Sequence, residues 1–195
     1  CKKFDKIIIY DAHQSLPNIP ENILPIFIQA QQAFGTGTHQ TTQMIISVLL
    51  SQELRDKRLL DCGCGTGILG IVASKLGAND IMAYDIDEWS VENARHNAQI
   101  NQVNNLHVLH GDAKILSQIN GLFDVVVANI NRNILLNDMP MFREVMSEDA
   151  VLILSGFYAD DIPMLKEKAS SLNLSLTEVK EKDEWRACVF HTEKQ

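Results

Sequence analysis

Two hydrophobic patterns alternate along most of the chain. Short apolar runs rich in β-branched residues, such as 123–128, are typical of strands buried on both faces of a parallel sheet. Stretches with apolar residues three or four positions apart, such as Met44, Ile45, Val48 and Leu49, are typical of one helix face. The alternation predicts right-handed β–α–β units and therefore an α/β fold with a doubly wound, mostly parallel sheet.

The elements that these patterns predict follow one another closely. Strands are expected at 7–10, 59–61, 81–84, 106–109, 123–128 and 151–154, with a closing pair at 174–179 and 187–191. Helices are expected after Thr41 or Thr42, which can cap the first one, and at 68–77, 88–100, 134–146 and 162–172. Residues 11–25 contain three prolines and are expected to form a connector. Pro140 is expected to start or kink its helix.

Composition narrows the class of protein. A chain of 195 residues with 46% hydrophobic residues is expected to form one globular domain with a full core. No run approaches the roughly 18 apolar residues of a membrane helix, and the first residues lack the apolar region of a signal peptide. The formal net charge of −8 argues against a broad nucleic-acid footprint, because phosphate contacts need a basic face. We therefore expect neither a membrane nor a direct nucleic-acid partner.

The cysteines suggest a location and argue against a metal site. The four cysteines have no paired CxxC spacing, so no metal is expected. Free cysteines in a chain without a signal peptide fit the reducing cytoplasm. A cysteine instead of a methionine at position 1 suggests a fragment of a longer chain.

A glycine-rich turn follows the strand at 59–61. Residues 59–67 read LLDCGCGTG, and three alternating glycines between a strand and a helix let a charged ligand approach the backbone closely. Asp85, at the end of the next strand, is placed to hold ribose hydroxyls. Further polar groups, Asp112 and Asn129, end two later strands and should converge on the same edge of the sheet. The pattern predicts a cleft for a nucleoside-containing cofactor.

Two cofactor classes fit the glycine turn. Residues 65–70 match GxGxxG, and with Asp85 they would suit an NAD(P)-dependent oxidoreductase. Asp61 argues against this reading, because a carboxylate before the first glycine would repel a pyrophosphate but suits an ammonium and a sulfonium. The polar loop before the first sheet strand also argues against it, as do Asn129 and Asn131, which stand where hydride transfer would favour a histidine.

Four sequence blocks resemble a known family. LLDCGCGTG resembles motif I of the class I S-adenosylmethionine-dependent methyltransferases, whose Rossmann-like seven-stranded sheet ends in an antiparallel strand. Residues 33–42, AFGTGTHQTT, resemble the signature of the bacterial enzymes that methylate large-subunit ribosomal protein L11, and 126–131 and 182–185 match later blocks of that family. The resemblance implies a methyltransferase domain at 33–195. Residues 1–32 would then be an amino-terminal strand and connector left from a substrate-docking region.

The resemblance also implies cofactor-binding residues. Thr42, Gly63, Asp85 and Asn129 match positions that bind S-adenosylmethionine in the family, and Gly65 lies in the same turn. Asp85 would hold the ribose, and the glycines would let the backbone approach the methionine part of the cofactor. In class I methyltransferases generally, a residue at the position of Asp112 lies beside the adenine.

The catalytic residues implied by the resemblance are Asn129 and Trp185. Asn129 would face the reactive methyl group and orient the attacking amine, and Trp185 would form a wall of the slot that receives this amine. The implied reaction transfers methyl groups from S-adenosylmethionine, leaving S-adenosylhomocysteine, to lysine or terminal amines of a large-subunit ribosomal protein. The alternatives that stay open are an NAD(P)-dependent oxidoreductase, a methyltransferase for a small molecule or another protein, and a non-catalytic cofactor-binding module.

Overall fold

A seven-stranded sheet lies at the centre of the computed structural model, which describes residues 2–13, 18–30 and 39–193. The strands of the described residues are β1 (Lys2–Phe4), β2 (Ile7–Asp11), β3 (Leu24–Ile28), β4 (Arg58–Cys62), β5 (Asp80–Asp85), β6 (Leu106–His110), β7 (Phe123–Asn129), β8 (Met146–Tyr158), β9 (Leu174–Lys182) and β10 (Trp185–Thr192). The central sheet has the order β6-β5-β4-β7-β8-β10-β9. β4 to β8 are parallel, whereas β10 runs antiparallel to both of its neighbours. The predicted Rossmann-like fold with an antiparallel last strand is confirmed.

Helices cover both faces of this sheet. They are α1 (Gln40–Ser51), α2 (Ile68–Lys75), α3 (Glu88–Ile100), α4 (Arg132–Glu144) and α5 (Ile162–Ser171), with short 3₁₀ helices at Ala113–Gln118 and Ala159–Asp161. Alternate residues of β7 enter two separate cores: Val125 and Val127 pack with α1, α2 and α3, and Val126 and Ala128 pack with α4 and α5. This explains the continuous apolar run in that strand. Within the described part of the chain, no helix has the length and apolar character needed to cross a bilayer.

A small second sheet precedes the central one. β1 pairs with β2 in antiparallel fashion, and β2 pairs with β3 in parallel. The predicted strand at 7–10 is confirmed as β2, but the expectation of a connector over 11–25 is wrong at its end, because Leu24 and Pro25 begin β3. Proline is tolerated there because β3 has a strand neighbour on one edge alone, so a missing N–H breaks no ladder. β1 was not predicted.

Two helix starts also differ from expectation. The prediction that Thr41 or Thr42 caps α1 is wrong: His39 is the cap, and its Nδ1 accepts from the Thr41 backbone N–H. Pro140 does not start its helix. It lies inside α4, which begins at Arg132 and is capped by Asn131. In both cases an asparagine or histidine upstream of the apolar pattern supplies the acceptor that the first turn needs.

Candidate functional site

The glycine turn between β4 and α2 is built mainly from backbone hydrogen bonds. The N–H groups of Gly63 and Cys64 both donate to the Tyr84 carbonyl, at 2.9 and 3.0 Å. Gly63, Gly65 and Gly67 have φ angles of +71°, +54° and +85°, a region that favours glycine. A Cβ atom at Gly63 would also lie 2.8 Å from Ile130 Cγ2. The turn therefore needs glycine at Gly63 both for its conformation and for close packing.

Asp85 ends β5 directly beside this turn. Its Oδ2 accepts the Gly65 N–H and its Oδ1 accepts the Asp87 N–H, each at 2.9 Å. These bonds orient the carboxylate, and each oxygen keeps a second lone pair for another donor. Asp85 is half-buried, so a ligand hydroxyl has access to it.

Asp61 is a buried carboxylate at the end of β4. The residue is 1% exposed, and its Oδ2 has no hydrogen-bond partner among the described residues. Burial, followed by the negative charge of Asp85, raises the pKa of Asp61 to about 7, although a hydrogen bond from the Gly70 backbone opposes the shift. A carboxylate in this environment favours a positively charged partner, which would offset its desolvation.

Asp112 lies on the next strand end along the same edge. The Gly111 N–H donates to the Asp85 carbonyl at 2.9 Å, which holds the end of β6 against the end of β5. The Asp112 carboxylate accepts the Lys114 N–H at 2.9 Å and caps the 3₁₀ helix at Ala113–Gln118. Asp112 is exposed, so besides this capping role its carboxylate is accessible at the carboxyl edge of the sheet.

Asn129 ends β7 and meets the first turn of α1. Its Nδ2 donates to Thr41 Oγ1 at 3.1 Å and to Thr42 Oγ1 at 3.4 Å. These hydrogen bonds use the amide nitrogen and leave the amide oxygen for another donor. Thr41 and Thr42 are themselves buried, so the side chain of Asn129 is held by a rigid helix end.

Close packing holds the backbone that follows Asn129. Ile130 donates its N–H to the Ser155 carbonyl at 3.1 Å. Gly156 has a φ of +103°, and a Cβ there would lie 2.6 Å from the Ile130 carbonyl oxygen. Ile130 is therefore packed between two glycines, Gly63 and Gly156, and its tight fit fixes the direction in which β7 ends.

Trp185 lies in a group of aromatic side chains at the start of β10. It pairs with Tyr158 across the β8–β10 ladder, and their rings stack with centroids 4.6 Å apart. The ring of His39 meets Trp185 edge-on at 5.2 Å. Tyr158 is 47% exposed, so the stack forms a boundary between the site and solvent.

A short chain of contacts joins this aromatic group to Asn129. His39 Nδ1 lies 2.7 Å from Thr41 Oγ1 and accepts the Thr41 backbone N–H at 3.2 Å. His39 Nδ1 thus contacts both the backbone N–H and the hydroxyl of Thr41. Thr41 in turn accepts from Asn129. Trp185 and Asn129 thus belong to one connected group.

The structure brings most of the predicted site residues to one edge of the sheet. Strand ends, the turns that follow them and the first turn of α1 bring six of them there: Thr42, Gly63, Gly65, Asp85, Asp112 and Asn129. Trp185 joins them through His39 and Thr41. Residues 33–38 of the predicted signature lie outside the described residues.

Sequence reasoning missed two members of this group. Thr41 was considered as a helix cap, but its hydroxyl instead connects Asn129 to His39. Tyr158 ends a long apolar strand, and no local pattern marks it as a neighbour of Trp185. The register of two strands that are distant in sequence is what places the two rings together.

The chain matches a known family over almost its full length. The sequence model described as "Ribosomal protein L11 methyltransferase (PrmA)" matches residues 2–193. A ribosomal protein L11 methyltransferase of Porphyromonas gingivalis is 47% identical over 178 residues, covering 91% of this chain and 60% of the relative. The corresponding protein of Bacteroides thetaiotaomicron is 47% identical over 173 residues, covering 89% and 61%. The chain thus spans about three-fifths of the length of these relatives.

A solved structure shows the same fold. The ribosomal protein L11 methylase of Lactobacillus delbrueckii subsp. bulgaricus superimposes with a TM-score of 0.87 and 25% sequence identity. The match covers 98% of this chain and 96% of that one. The small sheet, the central sheet and the helices therefore occur together in a relative of modest sequence identity.

Proposed function

Because this chain belongs to the ribosomal protein L11 methyltransferase family, we propose that it takes part in S-adenosylmethionine-dependent methylation of ribosomal protein L11. The acceptors would be lysine side chains, the terminal amine, or both. A cytoplasmic location, with neither a membrane nor a direct nucleic-acid partner, is part of the same proposal. So is the division into an amino-terminal part at 1–32 and a methyltransferase domain at 33–195.

The observation that carries the choice of cofactor is the buried Asp61 carboxylate. Its Oδ2 is without a partner among the described residues, and it lies at the turn where a cofactor backbone would pass. The ammonium and sulfonium of S-adenosylmethionine would relieve the cost of this buried charge, whereas the phosphates of NAD(P) would increase it. The donor set therefore fits S-adenosylmethionine and disfavours the oxidoreductase alternative, which the family comparisons do not favour either.

The remaining strand ends would hold the other parts of the cofactor. Asp85 has lone pairs for the ribose hydroxyls. The positive φ angles at Gly63 and Gly65 favour glycine, so no side chain blocks the approach of the cofactor to the turn. Asp112, at the end of the next strand, would lie beside the adenine. Thr42, buried against Asn129, would close the cofactor site from the side of α1.

Bound S-adenosylmethionine supplies an activated methyl group on a good leaving group, so the protein mainly has to align a neutral amine with it. The amide oxygen of Asn129, which has no donor among the described residues, can accept a hydrogen bond from the amine and direct its lone pair. The Trp185 and Tyr158 rings would shield the amine from water, which disfavours the ammonium form. The proton that the amine gives up would pass to solvent before attack.

Calorimetry separates the proposed cofactor from its rival. We expect the protein to bind S-adenosylhomocysteine and to show no binding of NADH under the same conditions. Mass spectrometry of ribosomal protein L11 incubated with the enzyme and S-adenosylmethionine would then show additions of one methyl mass or multiples of it. Binding of NADH alone would overturn the cofactor assignment. If the protein binds the cofactor but the mass of L11 stays unchanged, the assignment of L11 as the substrate would be overturned.

A further inference from the structure

Helix α3 and its C-cap carry a row of three asparagines that faces the small sheet. Asn93, Asn97 and Asn101 are four residues apart, so they lie on one face of the helix. They are 7%, 0% and 4% exposed, respectively. Buried amides need hydrogen-bond partners, and these find them in the backbone of the chain around β3.

The asparagines bind the open edge of β3 much as a neighbouring strand would. Asn101 accepts the Phe27 N–H at 2.8 Å and donates to the Phe27 carbonyl at 2.6 Å. Asn97 does the same for Gln29, with distances of 2.9 and 3.1 Å. Four helical residues rise about 6 Å and two strand residues about 6.6 Å, so this spacing matches every second residue of the strand.

Asn97 differs from Asn101 in one contact that reaches the candidate cofactor site. Its Nδ2 also donates to the Thr66 carbonyl at 2.9 Å, and Thr66 lies between Gly65 and Gly67 in the glycine turn. The third hydrogen bond of Asn101 stays within α3, where it donates to the Asn97 carbonyl at 2.7 Å. A single side-chain amide therefore joins the glycine turn to the end of β3.

Close packing makes this connection stiff. A Cβ at Gly67 would lie 3.0 Å from Ala94 Cβ, so the turn rests directly on α3. Asn93 donates to the Gln29 carbonyl at 2.6 Å, which is the third hydrogen bond from this asparagine row to Gln29. Gln29 leads along the chain toward residues 33–42, the block that resembles the family signature, and toward His39 and Thr41 beyond it.

We propose that Asn97 is a positioning residue for cofactor binding, which rests on the proposed function. Its amide holds both Thr66 and Gln29. The shape of the glycine turn therefore depends on whether Gln29 is held against α3, and the hold on Gln29 depends on the shape of the turn. Such a dependence is reciprocal, so a cofactor held by the turn also strengthens the attachment of Gln29.

Asn97→Ala and Asn101→Ala form a matched pair for the test. Each removes three hydrogen bonds from the same helix face, but Asn97 alone among the two contacts the turn. We expect Asn97→Ala to raise the Kd for S-adenosylhomocysteine about tenfold, since the Thr66 carbonyl loses its buried donor. Asn101→Ala should change this Kd by less than about twofold. Calorimetry measures both, and urea unfolding without ligand shows whether the two losses of stability are comparable.

Amide hydrogen exchange gives a readout that a purely structural role would not move. In the unsubstituted protein, S-adenosylhomocysteine should slow exchange of the Gln29 N–H, and Asn101→Ala should keep this effect. Asn97→Asp keeps an acceptor for the Gln29 N–H but loses the donor to the Thr66 and Gln29 carbonyls, so the ligand-induced slowing should be lost in this variant as well as in Asn97→Ala.

The outcomes separate the role of Asn97 from the function itself. Equal Kd changes in the two alanine variants, or ligand-induced slowing at Gln29 that persists in Asn97→Asp, would overturn the positioning role alone. If the unsubstituted protein fails to bind S-adenosylhomocysteine, the proposed function fails, and the role assigned to Asn97 fails with it.

Discussion

The two sides of the candidate site are built in different ways. The cofactor side is a run of neighbouring residues, 61–67, whose shape comes mainly from backbone hydrogen bonds and positive φ angles, with Asp85 and Asn97 as side-chain supports. The other side, which would receive the amine, is assembled from α1, β7, β8 and β10 largely by side-chain contacts. The first arrangement is local and stiff, and the second depends on a few atoms from distant parts of the chain.

This difference leads to different expected responses to substitution. On the amine side, removal of one side chain should reduce turnover while the fold and the cofactor affinity survive. On the cofactor side, a substitution should alter stability and affinity together, because the same packed turn determines both. Four predictions test the contrast, from the largest expected effect to the smallest.

Asn129→Ala should have the largest effect on turnover. We expect kcat to fall about 100-fold, because the amine loses the group that orients it, whereas the Kd for S-adenosylhomocysteine should change little. Steady-state methylation of L11 and calorimetry measure the two quantities. Asn104→Ala, at an exposed position without a side-chain hydrogen bond among the described residues, serves as the control. Turnover that stays within about twofold of the unsubstituted enzyme would show that Asn129 does not orient the amine.

Asp61→Asn should weaken cofactor binding while it stabilises the ligand-free protein. We expect about a 30-fold rise in Kd, because the buried charge that would meet the cofactor cation is lost. The usual pKa of 3.8 is raised to about 7 in the fold, so the carboxylate destabilises the folded protein increasingly as pH rises between these values. The free energy of unfolding of the variant should therefore exceed that of the unsubstituted protein by on the order of 2 to 4 kcal/mol at pH 8, and by little near pH 4.

Urea unfolding at about pH 4.5, 6 and 8, which span the shifted pKa, measures this increase in the free energy of unfolding. Asp124→Asn is not a suitable control, because its carboxylate accepts hydrogen bonds from Arg58 and Ser147. Asp160→Asn is suitable, because Asp160 is exposed in the short 3₁₀ helix that follows β8. A stability difference for Asp61→Asn that does not change with pH would contradict the assigned pKa.

Gly63→Ala should lower both stability and cofactor affinity. The φ of +71° and the 2.8 Å approach to Ile130 Cγ2 together predict a loss of about 2 to 3 kcal/mol in the free energy of unfolding. Gly77→Ala is the matched control, since its φ is +105° but its Cβ would meet nothing closer than 3.5 Å. Urea unfolding compares the two. Equal losses of stability in the two variants would show that close packing on Ile130 contributes nothing. Adding Ile130→Ala to Gly63→Ala should restore part of the lost stability, because it makes room for the new Cβ.

Tyr158→Ala should have the smallest effect and should act on the protein substrate. Loss of the stacked ring beside Trp185 should raise the KM for L11 about threefold to tenfold, in line with a typical aromatic pair. Tyr158→Phe keeps the ring and should resemble the unsubstituted enzyme, and neither variant should change the Kd for S-adenosylhomocysteine. An unchanged KM in Tyr158→Ala would show that Tyr158 does not contribute to substrate binding at the amine slot.

The sequence was sufficient where structure is local. Periodicity predicted the alternating strands and helices, because each buried strand and each helix face has its own repeat. The connector prediction was wrong at Leu24 and Pro25, since β3 forms against β2 and against the asparagines of α3, which are distant along the chain. The cap of α1 was misassigned because histidine is not a common cap, and its role follows from a contact with Thr41.

The sequence by itself determined the fold class, the glycine turn and the choice of Asp61 and Asp85 as candidate site residues. These features depend on residue types at short, regular spacings, where backbone geometry leaves few alternatives. Tertiary structure alone decided that Tyr158 stacks on Trp185, that Thr41 links Asn129 to His39, and that Asn97 joins Thr66 to Gln29. Such contacts depend on strand register and helix packing, which bring residues far apart in the chain within hydrogen-bond distance.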